Sequence, residues 1–211
     1  MRAAYDAVAA AYATEVADEL ADRPFARWLL ERIADLAGPH PIVDVGCGPG
    51  HVATHLAAAG ADVTGLDLSP AMIAQGRERY PDVSFRAGDL RDLMRPASAP
   101  RWGAVFAWYA LIHLAPSELP TVVAALARVV RRRMGRDRRT HRIAGAASRR
   151  IPRRHEYLGA QVDLDTVLHD PTHVHAAVTI TGLRAAEYCL GGPVAGETAT
   201  ECLEVLAQRS Q

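Results

Sequence analysis

Lysine is missing from the 211 residues, so all 24 positive side chains are arginines, and 24 acids bring the formal net charge to zero. With neither sign in excess, no whole-molecule field draws the chain toward nucleic acid or an anionic membrane. An all-arginine set of cations points to a GC-rich gene more than to a partner. Apolar runs are short, none approaching the roughly 18 residues of a membrane span. The alanine-rich N-terminus carries acids and has no signal-peptide layout. Cysteine is scarce as well. Cys47, Cys189 and Cys202 are odd in number and far apart, which favours a reducing compartment. A cytoplasmic location is therefore expected. What remains is 49% hydrophobic and 23% charged, an ordinary globular balance, and the simplest organisation is one domain with one substantial core.

The chain then shows a regular alternation. Residues 3–37, rich in Ala, Leu, Glu and Arg, read as one or two helices broken at "DRP" (22–24), where Pro24 suits a first helical turn. "PIVDV" (41–45) predicts a strand, "GHVATHLAAAG" (50–60) a helix, and "DVTGLDL" (62–68) a second strand. "SPAMIAQGRERY" (69–80) predicts a helix capped by Ser69 with Pro70 at its first position. Strands over 82–90 and 102–114 follow, then a helix over 116–130, a helix over 171–183 and two closing strands that form a hairpin at the sheet edge. Strands alternating with helices at this spacing give an α/β fold with a parallel sheet covered on both faces.

Gly46, Gly48 and Gly50 follow the first strand directly and open the first helix of that alternation. In open α/β sheets ligands bind beyond the carboxyl ends of the strands, where bare backbone can lie against them and helix N-termini favour negative groups. Asp67 ends the second strand at the same crevice and can accept two hydrogen bonds from a ribose diol. A nucleoside ligand is the expectation. The spacing G-x-G-x-G, with His51 in place of a later glycine, departs from the dinucleotide fingerprint.

"VDVGCGPG", "LDLSPAMI", "AGDL" and "FAWYALIHLAPSELP", in this order over residues 40–130, resemble the motifs of the class I S-adenosylmethionine-dependent methyltransferases. The resemblance implies a Rossmann-like, mostly parallel seven-stranded sheet with its last strand antiparallel. It implies S-adenosyl-L-methionine as cofactor and a small-molecule acceptor with an oxygen or nitrogen nucleophile. By the same resemblance, Asp44 would meet the methionyl amino group, and Gly46, Cys47, Gly48 and Gly50 would floor the methionyl and ribose parts. Asp67 would hold the ribose hydroxyls, Leu68 and Met72 would pack on the adenine, and Asp89 and Leu90 would meet its edge. Ala107 and Trp108 would lie beside the methionyl group, and Tyr12 would close the pocket from the N-terminal helix. His113 is the candidate base and Tyr109 its orienting group.

Each of these has a plainer alternative. Tyr5 and Tyr12 share one helix face and serve packing equally well, Met72 fills core as readily as it meets a ligand, and His113 can be merely polar. "HDPTHVH" (169–175) and the His51/His55 pair suggest a metal, but no Cys or Glu cluster accompanies them, and none is expected.

One stretch breaks the pattern. Residues 131–154 hold 11 of the 24 arginines where a fold of this type needs its central fifth strand. A strand buried on both faces cannot be built from that composition. Three readings stand: a basic solvated loop with the strand supplied elsewhere, a nucleic-acid-binding insert, or a stretch translated out of frame. The expected organisation is thus an N-terminal helical cap (1–38), a cofactor-binding half (39–130), the arginine-rich segment (131–155) and a C-terminal half (156–211). Two rival functions accompany methyl transfer: a non-catalytic or impaired nucleoside binder, and an RNA-binding or RNA-modifying protein using the 131–154 arginines. No membrane partner is expected, nucleic acid is disfavoured, and the oligomeric state stays open.

Overall fold

The computed structural model describes residues 1–93, 102–130, 141–142, 149–191 and 202–209. Two helices lead, α1 (Arg2–Glu15) and α2 (Pro24–Ala37), and Pro24 begins the second as expected. Strand β1 (Ile42–Val45) is buried at all four positions, which accounts for its uninterrupted apolar run apart from Asp44. Helix α3 (His51–Ala58), strand β2 (Val63–Asp67), helix α4 (Pro70–Arg79) and strand β3 (Ser84–Ala87) follow. Ser69 caps α4 by accepting the Met72 N–H at 3.1 Å.

Strand β4 (Ala104–Phe106) is much shorter than the strand expected over 102–114. The chain leaves the sheet at Trp108, and Tyr109 has φ of 53°, which ends a β ladder. A 3₁₀ turn, Leu111–His113, then leads to α5 (Leu119–Val129). The four strands form one parallel ladder in the order β3-β2-β1-β4, with Asp44 level with Gly65 on one side and Phe106 on the other.

Beyond α5 come β5 (His141–Arg142), β6 (Arg149–Tyr157), β7 (Ala160–Leu168), α6 (Pro171–Ile180), β8 (Leu183–Gly191) and β9 (Cys202–Arg209). Helix α6 and the closing hairpin lie where the sequence places them. A second ladder, β5-β9-β8, is antiparallel, and its β5 end neighbours β4, so seven strands fall in two runs of four and three. Among the described residues, the doubted fifth strand is thus represented by two, His141 and Arg142. The remainder of the arginine-rich stretch, 131–140 and 143–148, lies outside the described residues, and the loop, insert and frame readings fall largely on it. Its last part belongs to β6, which pairs with β7 in an antiparallel hairpin that sequence reasoning did not anticipate. Arg153 is spoken for there, at 3.0 Å from Asp163 and 2.6 Å from Asp165.

The core lies on both faces of the parallel ladder. One side joins Val43, Val45 and Val105 to Leu119, Val122, Leu126 and α6; the other joins Ile42 and Phe106 to Leu30, Ile33 and Leu56. The β6–β7 hairpin folds over α1, where Val8, Ala9 and Met72 meet Tyr157 and Val162. That placement stretches a roof from α1 to the hairpin above the carboxyl ends of β1, β2 and β4.

Candidate functional site

Under that roof is a cavity of about 500 Å³. Its floor is the turn after β1. Gly46 has φ of 73° and Gly48 of 54°, a backbone region that side chains rarely enter. A Cβ on Gly46 would stand 2.3 Å from the Cβ of Ala110, so the segment after β4 can approach the turn only because glycine is there. Gly48 lies directly beneath Tyr12 and also lines the cavity. Gly50 begins α3 from the left-handed region and faces Phe85 instead, outside the cavity lining.

Asp67 stands across the floor at the end of β2. Its Oδ2 accepts the Gly48 N–H at 2.9 Å and its Oδ1 the Ser69 N–H at 2.8 Å. Each oxygen keeps a second lone pair for a ligand hydroxyl. Burial raises its carboxyl above the usual range, with the Asp6 charge adding to it, and the Ser69, Gly48 and Leu68 N–H groups work against that rise. Asp44 is fully buried behind the glycine turn, without a partner for either oxygen, and burial plus the Asp67 charge raise it well above the carboxylate range. Cys47 is buried too, with its Sγ–H directed at the Gly48 carbonyl at 3.4 Å, and burial pushes its thiol up, which rules it out as a ready thiolate.

The other expected residues divide in the same way. Tyr12, Leu68, Met72, Asp89, Leu90 and Trp108 line the cavity together with Tyr109 and His113. Ala107 is buried behind that wall, among the core side chains. Asp89 caps the 3₁₀ turn Leu90–Asp92 through the Arg91 N–H at 2.8 Å and pairs with the Arg91 guanidinium at 3.1 Å.

The walls contain a group the sequence did not announce. Glu19, in the turn between α1 and α2, lies 2.8 Å from Arg23 and 2.7 Å from His51 Nε2, and accepts the Trp108 indole N–H at 3.3 Å. Burial alone would raise its carboxyl, but these donors outweigh burial and hold it below the usual glutamate range. His51 therefore anchors the cap, and His55 lies 3.8 Å from Glu31 on α2. Among the described residues no group of three metal-ligating side chains occurs. His169 is buried, donating through Nε2 to the Leu111 carbonyl at 2.8 Å, which steadies the turn bearing His113.

His113 itself is tied at both nitrogens. Its Nδ1 is 2.8 Å from the carbonyl oxygen of Asp165 on β7, and its Nε2 is 2.7 Å from the Tyr5 hydroxyl. Burial holds its pKa below the usual histidine range. The expected orienting group, Tyr109, has its hydroxyl 3.4 Å from Arg23, so the partner of His113 is Tyr5, seven residues before Tyr12 on α1. The seven-residue spacing was the available signal for Tyr5. Tyr157 and Arg154 of the hairpin, both lining the cavity, had none.

Residues 42–133 match the methyltransferase domain family. Over 103 residues the chain is 43% identical to trans-aconitate 2-methyltransferase of Klebsiella pneumoniae, a match covering 47% of this chain and 39% of that one. A Mycobacterium tuberculosis protein of the same name is 44% identical over 73 residues, 34% of this chain and 26% of its own. The chain thus spans well under half the length of these curated relatives. Among solved structures it resembles the CcbJ methyltransferase of Streptomyces caelestis, with a TM-score of 0.68, 18% identity and 98% of both chains covered. It also resembles DesVI of Streptomyces venezuelae, with a TM-score of 0.66, 21% identity, and 95% and 96% covered. At such identities these likenesses establish the fold, and the family match spans the glycine turn and Asp67. Residues 42–133 thus match a methyltransferase domain, and the chain shares the fold of the solved methyltransferases it resembles.

Proposed function

We propose that the protein transfers a methyl group from S-adenosylmethionine to a small-molecule acceptor. The observation that carries this is one cavity in which side-chain-free backbone at Gly46 and Gly48 faces the Asp67 carboxylate. The cradle fits an adenosyl amino acid. A Cβ at Gly46 would need the space Ala110 occupies, and Asp67 keeps accepting capacity for the two ribose hydroxyls. Leu68, Met72 and Leu90 would hold the adenine between apolar surfaces, with Asp89 at its edge. Asp44, buried without a partner directly behind the turn, is a reserve of negative charge for the methionyl ammonium, which would favour its ionised form. Tyr12 and Trp108 would close over the methionyl end.

When bound, the sulfonium supplies an activated methyl group. The protein's share of the work is placement, because aligning two reactants accounts for much of such a barrier. The Glu19 knot ties the cap to Trp108 and α3 at the wall of the cavity. His113 is the proton-accepting group at the acceptor end. Of the arginines offered for RNA binding, Arg153 is paired within the hairpin and Arg154 lies 4.5 Å from the centre of the Tyr157 ring.

The experiment is calorimetric titration with S-adenosylhomocysteine, followed by transfer of radiolabelled methyl to a panel of small acids, phenols and amines. Saturable heat and labelled product are expected. Absence of heat with folded protein overturns the reading.

A further inference from the structure

The bonding of His113 specifies what kind of acceptor the site serves. This rests on the methyl-transfer reading and goes one step beyond it. A carbonyl oxygen only accepts, so the contact with Asp165 puts the imidazole proton on Nδ1. In the neutral ring Nε2 is then an acceptor, and the Tyr5 hydroxyl must be donating to it. Neither nitrogen has a lone pair left for a substrate. The Tyr5 oxygen does, because a hydroxyl donates once and accepts twice. Tyr5 also lines the cavity, at a ring distance of 5.3 Å from His113 and 6.0 Å from Tyr12.

We propose that Tyr5 is the residue that touches the acceptor, relaying its proton to His113, and that the acceptor is therefore a protic nucleophile, a hydroxyl or an amine, rather than a carboxylate. The acceptor's lone pair takes the methyl carbon while the carbon–sulfur bonding pair stays on sulfur. The acceptor's proton moves to the Tyr5 oxygen as the Tyr5 proton moves to Nε2. The imidazolium so formed returns its proton to water after product leaves. No charge is created without a partner, since one positive charge disappears from sulfur as another appears on the ring.

The surrounding groups favour this direction of transfer. Burial, with Tyr157 and Asp67 adding to it, keeps the Tyr5 phenol protonated, so Tyr5 serves as a conduit and not as a phenolate base. The Arg154 charge opposes that trend without overcoming it. Burial keeps His113 neutral and ready to accept. A carboxylate acceptor would leave the whole arrangement idle, since at neutral pH it has no proton to give.

Two arms test the proposal. The first needs no acceptor: nitrogen-15 NMR of histidine-labelled wild type and Tyr5→Phe. The neutral His113 ring is expected to carry its proton on Nδ1, and its titration should move upward when the Tyr5 donor is removed. An Nε2–H ring, or a titration indifferent to Tyr5→Phe, overturns the relay. The second arm measures methyl transfer to catechol, phenethylamine and trans-aconitate. Catechol or phenethylamine should be methylated, with kcat/KM falling as pH drops below the His113 value. Tyr5→Phe should lower kcat about 100-fold or more with a smaller change in KM, and His113→Asn should abolish the acidic limb. A protein that binds S-adenosylhomocysteine yet methylates only trans-aconitate, or neither protic probe, overturns the inference and leaves the cofactor reading standing. Failure to bind S-adenosylhomocysteine removes the reading beneath it.

Discussion

The two halves of the cavity are built on different principles. The floor, from β1 to β3, is backbone: positive-φ glycines, a strand-end carboxylate and a helix cap, each fixed by its place in a parallel ladder. The roof, from α1, the 3₁₀ turn after β4 and the β6–β7 hairpin, is side chain: three tyrosines, an imidazole and an arginine brought together from elements far apart in sequence. A floor made of main chain tolerates few sequences and suits one unvarying ligand. A roof made of side chains can be changed one residue at a time, and that is where an acceptor would be chosen.

That contrast yields predictions of decreasing size. Phe85→Ala, behind the floor, empties the centre of its packing and should cost about 3–5 kcal/mol of stability, read as a fall in the urea midpoint with unchanged slope. Gly46→Val places a branched side chain at positive φ against Ala110. Backbone strain and overpacking together should cost roughly 2–5 kcal/mol, and S-adenosylhomocysteine binding should be lost even in whatever fraction folds. A Gly46→Val protein with full affinity would break the distinction between floor and roof. Asp67→Asn keeps the shape and removes the charge, so affinity for S-adenosylhomocysteine should fall on the order of 10- to 100-fold, measured by calorimetry.

Asp44→Asn sharpens the comparison through pH. The wild-type carboxyl ionises near pH 4 in the unfolded chain but stays protonated well above that in the fold. Stability therefore declines as pH rises from about 4 toward the folded value, because the unfolded chain binds fewer protons. In Asp44→Asn that decline should flatten, as followed by denaturation midpoints across pH. Arg153→Ala, on the exposed hairpin, should be nearly silent in both stability and S-adenosylhomocysteine affinity, because its pairs with Asp163 and Asp165 are solvent-exposed.

The same contrast decided what could be read from sequence. Glycine spacing, Ser69–Pro70 and the apolar run of β1 are local signals, and the structure places each at or within a residue of its expected position. The end of β4 was misjudged because "WGAVFAWYALIHL" is apolar throughout, whereas the strand stops where the chain must turn at Tyr109 to clear Gly46. The Glu19 bonds to His51 and Trp108 and the Tyr5–His113 bond join residues 32 to 108 positions apart, and no periodicity encodes such a meeting. The β6–β7 hairpin was hidden by arginines that the sequence presents as one block but the fold divides.

Phe85 carries a last consequence. Its ring fills the space in which a Cβ on Gly50 or Gly65 would fall, at 2.3 and 2.6 Å, and it crowds Gly76 at 3.2 Å. Four positions on four separate segments thus share a single volume: neither Gly50 nor Gly65 can grow while the ring is in place, and Gly76 only if the ring gives by a few tenths of an ångström. In a lineage drifting over time the ring and these glycines constrain one another: a smaller residue at 85 relieves the crowding at all three, while Gly65 still faces the Cys47 Sγ at 2.8 Å and Gly50 still has a φ of 89°.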